Sequence, residues 1–347
     1  MQRTIALLCA LAVTLAPVVV YGQETPTPSA GSWEVLVGRE TDDHSIQAQA
    51  YFPTVITIVA GDTVTWKLGG LYSHTVTFLV GQPRPPTTII TPDGRTVLNP
   101  LVEFAQGGAV FDGSRYANSG ILGTRATTYS LTFSNPGVYP YSSLVQRGME
   151  GTVIVLPSGR RPPKSQAEYR TLGEQEWAVL RARGEGLAQS APTVAEPAQA
   201  GATDYYISSG FGGNEVSVMR FLPSELTVRV GDTVTWLQAD PQEVHTVTFP
   251  DSDSPTTLTY TETPPLGPAV TVFDPAATQP QGGPVHRGQG YYNSGVMQPF
   301  GRYTLTFLQP GVYPYVCLVH GNLGHAGTIV VQPAGDQSPD PAAARRS

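Results

Sequence analysis

The sequence predicts an all-β protein of two tandem Greek-key β-sandwich domains, joined by a linker that carries a short helix. Three observations lead there. The 347 residues include 37 glycines and 32 prolines, and together with many Val/Thr/Tyr runs these favour short strands separated by turns. Leu226, Val228 and Val230 alternate with Thr227 and Arg229, the period-two pattern of a strand with one buried face. Most telling is an internal repeat. ITIVAGDTVTW (Ile56 to Trp66) returns as LTVRVGDTVTW (Leu226 to Trp236), HTVTF at His74 as HTVTF at His245, and YANSG (Tyr116 to Gly120) as YYNSG (Tyr291 to Gly295). The stretch Tyr129 to Val155 then returns as Tyr303 to Val331. The order is the same in both copies, as a tandem duplication requires.

Residues 1–22 read as an export signal: Arg3, an uncharged apolar run from Ile5 to Val20, and an exit at Val20-Tyr21-Gly22. Cleavage after Gly22 would remove Cys9. The alternative is retention as an N-terminal membrane anchor, since the run is nearly long enough to span. Either way the bulk of the chain is expected outside the cytoplasm, periplasmic or extracellular. The first domain is expected over 31–157 and the second over 203–333. Gly231-Asp232 should turn one strand into the next, and Pro136-Gly137 and Pro310-Gly311 punctuate the approach to the last strands. The long spans from His74 to Tyr129 and from His245 to Tyr303, rich in Pro, Thr and Gly, read as surface loops. Between the domains, over 158–202, Ser165 and Glu168 form a capping-box signature, and helix formers continue to Gly184. Leu172, Val179 and Leu180 would give this helix an apolar face that packs on one domain or braces both; Gly173 counts against it. Ala188 to Gly201 reads as a Pro/Ala linker and 334–347 as a flexible tail.

The formal charge of −7 disfavours binding to nucleic-acid phosphates. Once the signal is removed, Cys317 is left without a disulfide partner, so it is either buried or a metal ligand. It lies in VYPYVCLVHGNLGHAG, Val312 to Gly327, with His320 three positions on and His325 five beyond that. One thiolate, the two loop imidazoles and a distant His245 form a soft-to-borderline donor set, better suited to copper than to calcium or magnesium.

A histidine after a GDTVTW strand, then Cys, two residues, His, four residues and a further donor, before Gly327 and TIVV, resembles the cupredoxin family of plastocyanin and azurin over roughly 203–333. The resemblance implies one mononuclear copper per chain on His245, Cys317 and His320, with position 325 axial, and a carrier of single electrons. Hydrogen bonds to each imidazole's free N–H should fix its tautomer. The resemblance also implies that His320 lies near the surface in an apolar patch, with Leu323, where a redox partner protein docks. The family's usual axial methionine is replaced by His325. An axial imidazole would favour Cu(II), lower the potential and draw the geometry towards tetragonal; the alternative is that His325 swings outward. In the first copy His74, Ser143, Gln146 and Met149 hold the corresponding places, and without the thiolate this copy is read as a metal-free structural or docking domain. Two other functions stay open: a copper-binding, storage or extracellular interaction module, and a multicopper oxidase or nitrite-reductase-like enzyme. The second is disfavoured because the chain has six histidines and no His-x-His pair. His44 and His286 read as solvated, and Trp66, Trp236, Tyr313 and Tyr315 as core packing.

Overall fold

The computed structural model describes residues 30–334 except 124, 191–193, 199–201 and 214. The expected export segment and nearly all of the expected tail lie outside the described residues. The protein is predominantly β, and the two repeats build their sheets from equivalent strands. Strand Ser32–Glu40 lies between Ile46–Phe52 and Thr63–Leu68, and the last of these pairs with Thr128–Phe133. In the second repeat Thr203–Gly213 lies between Val216–Leu222 and Thr233–Ala239, which pairs with Arg302–Phe307. A facing sheet in each repeat centres on the last strand. Glu150–Leu156 joins Val55–Val59 to Gly137–Ser142, and Ala326–Gln332 joins Glu225–Arg229 to Gly311–Val316.

The Gly-Asp turns explain themselves. Gly61 and Gly231 have φ of +99° and +96°, a region open to glycine at little cost. The following aspartates then tie the turn to its surroundings. Asp62 accepts from Gly31 N at 2.6 Å, Trp33 Nε1 at 2.8 Å and Val59 N at 3.0 Å. Asp232 accepts from Thr203 N at 2.8 Å and Arg229 N at 2.7 Å. Beyond each turn the alternating residues Val64 and Trp66, or Val234 and Trp236, are fully buried. Each tryptophan meets a tyrosine of the facing sheet edge-to-face, Tyr141 at 5.3 Å and Tyr315 at 5.4 Å between ring centres, the arrangement aromatic quadrupoles prefer.

The repeats are not beads on a string. Strand Ile46–Phe52 pairs antiparallel with Val216–Leu222, matching Ala48 to Val216 and Ile46 to Val218, so one sheet runs through both. The long spans read as loops also differ from expectation. Each contains a hairpin, Thr88–Ile90 with Thr96–Leu98 and Thr259–Glu262 with Val270–Phe273, and the two hairpins pair with each other at Val97 and Val272. Their Pro and Gly residues mark the turns, while their edge strands find partners only in the other repeat. Glu103, fully buried, locks this contact by accepting from Arg125 and from Thr271 Oγ1 at 2.7 Å.

The helix spans Gln166–Ser190, opened by the capping box: Ser165 N donates to Glu168 Oε2 at 2.7 Å and Glu168 N to Ser165 Oγ at 3.3 Å. Its buried stripe is Tyr169, Gly173, Trp177, Leu180 and Gly184, while the expected core residue Val179 is exposed. Gly173 and Gly184 are points of close approach. A Cβ on Gly184 would lie 2.4 Å from Ile46 Cγ2 and 3.0 Å from Val216 Cγ2. Since Ile46 and Val216 belong to the two strands that join the repeats, the helix braces both. Part of the expected Pro/Ala linker is also a strand, Val194–Pro197, paired with Thr203–Gly213.

Candidate metal centre

The Cys317 loop is closed by its own backbone. Cys317 follows strand Gly311–Val316, a short 3-10 turn spans Gly321–Leu323, and Gly324 reverses the chain at φ +88°. Cys317 N then donates to His325 O at 3.0 Å, which brings the fourth candidate ligand back over the first. His245 arrives just ahead of Thr248–Phe249, the strand paired with Gly311–Val316 through Thr248 and Val316, and is held by Met297 N donating to its carbonyl at 2.8 Å.

Three donor atoms converge. Cys317 Sγ lies 3.8 Å from His245 Nδ1 and 3.7 Å from His320 Nδ1, and the two nitrogens are 3.2 Å apart. The centre of that triangle is about 2 Å from each corner, a metal–imidazole bond length. Adding His325, all four ligand atoms lie within 4.8 Å of one another, and all four residues are buried. Both ring nitrogens of His325 are buried without a hydrogen-bond partner, a costly arrangement unless something else satisfies one of them. The residues therefore fit a single metal ion, and among the described residues they form the one such His/Cys/acidic cluster.

The electrostatics agree. Burial holds His245 and His325 well below the ordinary imidazole range, reinforced by their neighbouring imidazoles, and lowers His320 to about 3. All three stay neutral, with a lone pair free to donate. Burial pushes the Cys317 thiol up, so it ionises only when a cation stands beside it. Thr246 N points at the sulfur from 3.4 Å. The same threonine accepts from Leu318 N at 2.7 Å, and a chain through Thr248 to Asn293 anchors it to the sheet.

For His245 and His325 the expected hydrogen bonds to the free imidazole nitrogens are not what positions the rings. His245 Nε2 has no hydrogen-bond partner; packing holds it instead. A Cβ on Gly210, a strand residue at φ +111°, would lie 2.3 Å from that atom, so only glycine lets the strand pass so closely. Gly38 has the same relation to His74 Nε2, at 2.2 Å. A glycine at corresponding places in the first strand of both repeats was the available signal, and sequence reasoning passed over it. His325 is backed by the Phe221 ring, 4.3 Å between centres. His320, expected at the surface, is 5% exposed and faces Tyr72 of the first repeat.

In the first repeat the same positions are wired together instead. His74 Nδ1 and Ser143 Oγ both bond Gln146 Oε1 at 2.8 Å, and Gln146 Nε2 donates to Ser73 O at 3.0 Å. Thr75 N donates to Ser143 Oγ at 3.3 Å, as Thr246 N does to Cys317 Sγ. Ser143 N donates to Met149 O at 3.0 Å, as Cys317 N does to His325 O. The donors are thus engaged with one another, and burial lowers His74 to about 4. Of the remaining histidines, His44 is partly exposed against Glu40 at 2.9 Å. His286 corrects the reading as a solvated residue: it is 2% exposed, boxed by Phe249, Tyr292, Phe307 and Tyr313. Its strand, Val285–His286, takes the place that Val110–Phe111 takes in the first repeat, which makes it a core residue. Trp66, Trp236 and Tyr315 are core, and Tyr313 packs against it.

The sequence model of copper-binding proteins of the plastocyanin/azurin family matches residues 209–332. No curated protein matches the chain. Among solved structures, a methionine-to-glutamine variant of amicyanin, as Cu(I), is 21% identical over 36% of this chain and 83% of its own, with a TM-score of 0.23. An oxidised methionine-to-lysine variant of amicyanin is 20% identical over 38% and 96%, also at 0.23. The family match covers the strands and the loop that bring Cys317 and the three histidines together, and residues 209–332 are a plastocyanin/azurin-like copper-binding domain.

Proposed function

We propose that this protein is an exported electron carrier with one copper held by His245, Cys317, His320 and, axially, His325. The observation that carries the reading is the convergence of one sulfur and two Nδ1 atoms on a common centre, beside a fourth imidazole whose nitrogens have no other partner. A copper ion so held would supply a one-electron couple between Cu(I) and Cu(II). The chain's own contribution is rigidity and dryness. The strand ends, the closed Cys317 loop and the Gly210–His245 packing fix the donors, so little rearrangement accompanies a change of charge. Burial keeps the imidazoles neutral and excludes water. We read the first repeat as a metal-free domain, and place partner docking near His320 and Leu323, the latter half-buried on the same loop.

Copper storage is the second reading, and the burial of all four donors speaks against it, because a buffer must give its ion up. An oxidase or reductase with a further copper centre finds no support in the other histidines: His74 is hydrogen-bonded, His286 boxed in aromatics and His44 paired with Glu40. Metal analysis with optical and EPR spectra of the purified protein tests the proposal. One copper per chain with a thiolate-to-metal absorption, both lost in Cys317→Ser, is the expected result. Retention of metal and colour in that variant would end it. His325→Met should raise the potential and change the spectrum; no change would remove the axial assignment alone. Fast reversible cycling with a simple reductant supports the carrier over storage.

A further inference from the structure

The first repeat has no thiolate of its own, yet it reaches the ligand set of the second. We propose that Tyr72 is a positioning residue for the metal centre: its ring covers the His320 imidazole and closes that ligand off from solvent. The inference rests on the copper reading for its purpose, but the cover itself is a property of the chain.

His320 sits on a loop whose backbone is closed by Gly321–Leu323, and its ring lies 5.6 Å from the Tyr72 ring, tilted by 55°. Tyr72 is itself only 6% exposed, whereas the adjacent Leu71 is 58% exposed, so the ring turns inward from an exposed loop to pack against His320. Its position is held firmly. Tyr72 Oη donates to His44 O at 3.1 Å, Leu71 N to Glu40 Oε1 at 3.0 Å, and Gly69 N to Val37 O at 3.0 Å. A Cβ on Gly70 would lie 2.8 Å from Glu40 Cδ, which shows how tightly the loop is drawn down.

The other flank of His320 also depends on the first repeat. Glu243 Oε2 lies 3.9 Å from His320 Nε2, and Glu243 Oε1 accepts from Gln49 Nε2 at 2.6 Å. Gln49 belongs to Ile46–Phe52, the strand through which the two sheets become one. Tyr72 stands two residues before His74 and Glu243 two before His245, so corresponding positions of the two repeats converge on one imidazole. This gives the first repeat a part at the metal centre although its own corresponding positions form a hydrogen-bonded network. An aromatic ring packed on the ligand excludes water and confines the imidazole to one orientation.

The test uses the full chain, with Tyr72→Ala and, as the ring-retaining control, Tyr72→Phe. In the metal-free protein, acylation by diethyl pyrocarbonate is mapped at His320 by peptide mass spectrometry, with the partly exposed His44 as reference in wild type and added N-acetylhistidine as reference across the variants, since Tyr72 Oη bonds His44 O. Reaching a buried ring requires local opening, so His320 should react about tenfold or more slowly than His44 in wild type, and equally slowly in Tyr72→Phe. In Tyr72→Ala that protection should be lost. In the copper-loaded protein, extraction by EDTA followed optically should be about tenfold faster for Tyr72→Ala and unchanged for Tyr72→Phe. Equal His320 reactivity in wild type and Tyr72→Ala overturns the proposal, as does wild-type His320 reacting as fast as His44, a result that needs no variant to fold. Failure of the copper reading is distinct: it would show as no bound copper while the protection pattern persists.

Discussion

Gly210 shows how a residue without a side chain can belong to a metal centre. Its φ of +111° and the 2.3 Å that would separate a Cβ from His245 Nε2 leave no room for alanine. Gly210→Ala should destabilise the protein by about 1–3 kcal/mol from backbone strain alone and displace His245, which denaturant titration and copper stoichiometry would register. Gly38→Ala should cost stability similarly but leave the copper spectrum intact, because His74 holds no metal in our reading. His286 supplies the pH dependence at this scale. Burial among aromatics lowers it from 6.5 to about 4. Between those values the unfolded chain binds more protons than the folded one, so stability falls as pH drops through that window. His286→Phe, which restores the residue type of Phe111, should raise the thermal midpoint at pH 5 relative to wild type, with a smaller gap at pH 8.

At the scale of elements, the helix Gln166–Ser190 answers to two different forces. Ser165 organises its start, and Ser165→Ala should cost about 1 kcal/mol of stability. Gly184 decides how close the helix comes to the sheet. Alanine there would gain about 1 kcal/mol of intrinsic helix propensity, yet its Cβ would run into Ile46 Cγ2 and approach Val216 Cγ2. Gly184→Ala should therefore lower the thermal midpoint; a rise would mean that the close approach does not govern this contact. The capping box was legible because it is a local hydrogen-bond pattern. The buried face was not: Val179 and Leu180 are equally apolar, and only the course of the sheet beneath selects Leu180 and leaves Val179 in solvent.

For the whole molecule, the shared sheet, the paired hairpins and the bridging helix make separate unfolding of the two repeats costly. Parting them would expose two edge strands and leave the Glu103 carboxylate without Thr271. Calorimetry of the full chain should show a single cooperative transition, and two resolved transitions would count against a common unit. The same junction delivers Tyr72 and Gln49 to the His320 side of the metal centre, so loosening it should be felt there.

The sequence by itself determined the β class, the cap of the helix and the Cys317, His320 and His325 loop, because strand alternation, turn chemistry and loop spacing are short-range patterns. The repeat and the distant His245 were legible because whole motifs recur in the same order. Tertiary structure alone decided that the long Pro/Gly-rich spans are hairpins pairing across the repeats, that His286 is core, and that His320 is covered. Each of those depends on which surfaces meet, and a residue such as Tyr72, 248 positions before the imidazole it touches, carries no local sign of its neighbour. Burial is a property of the assembled chain, and it is what makes these donors a closed site.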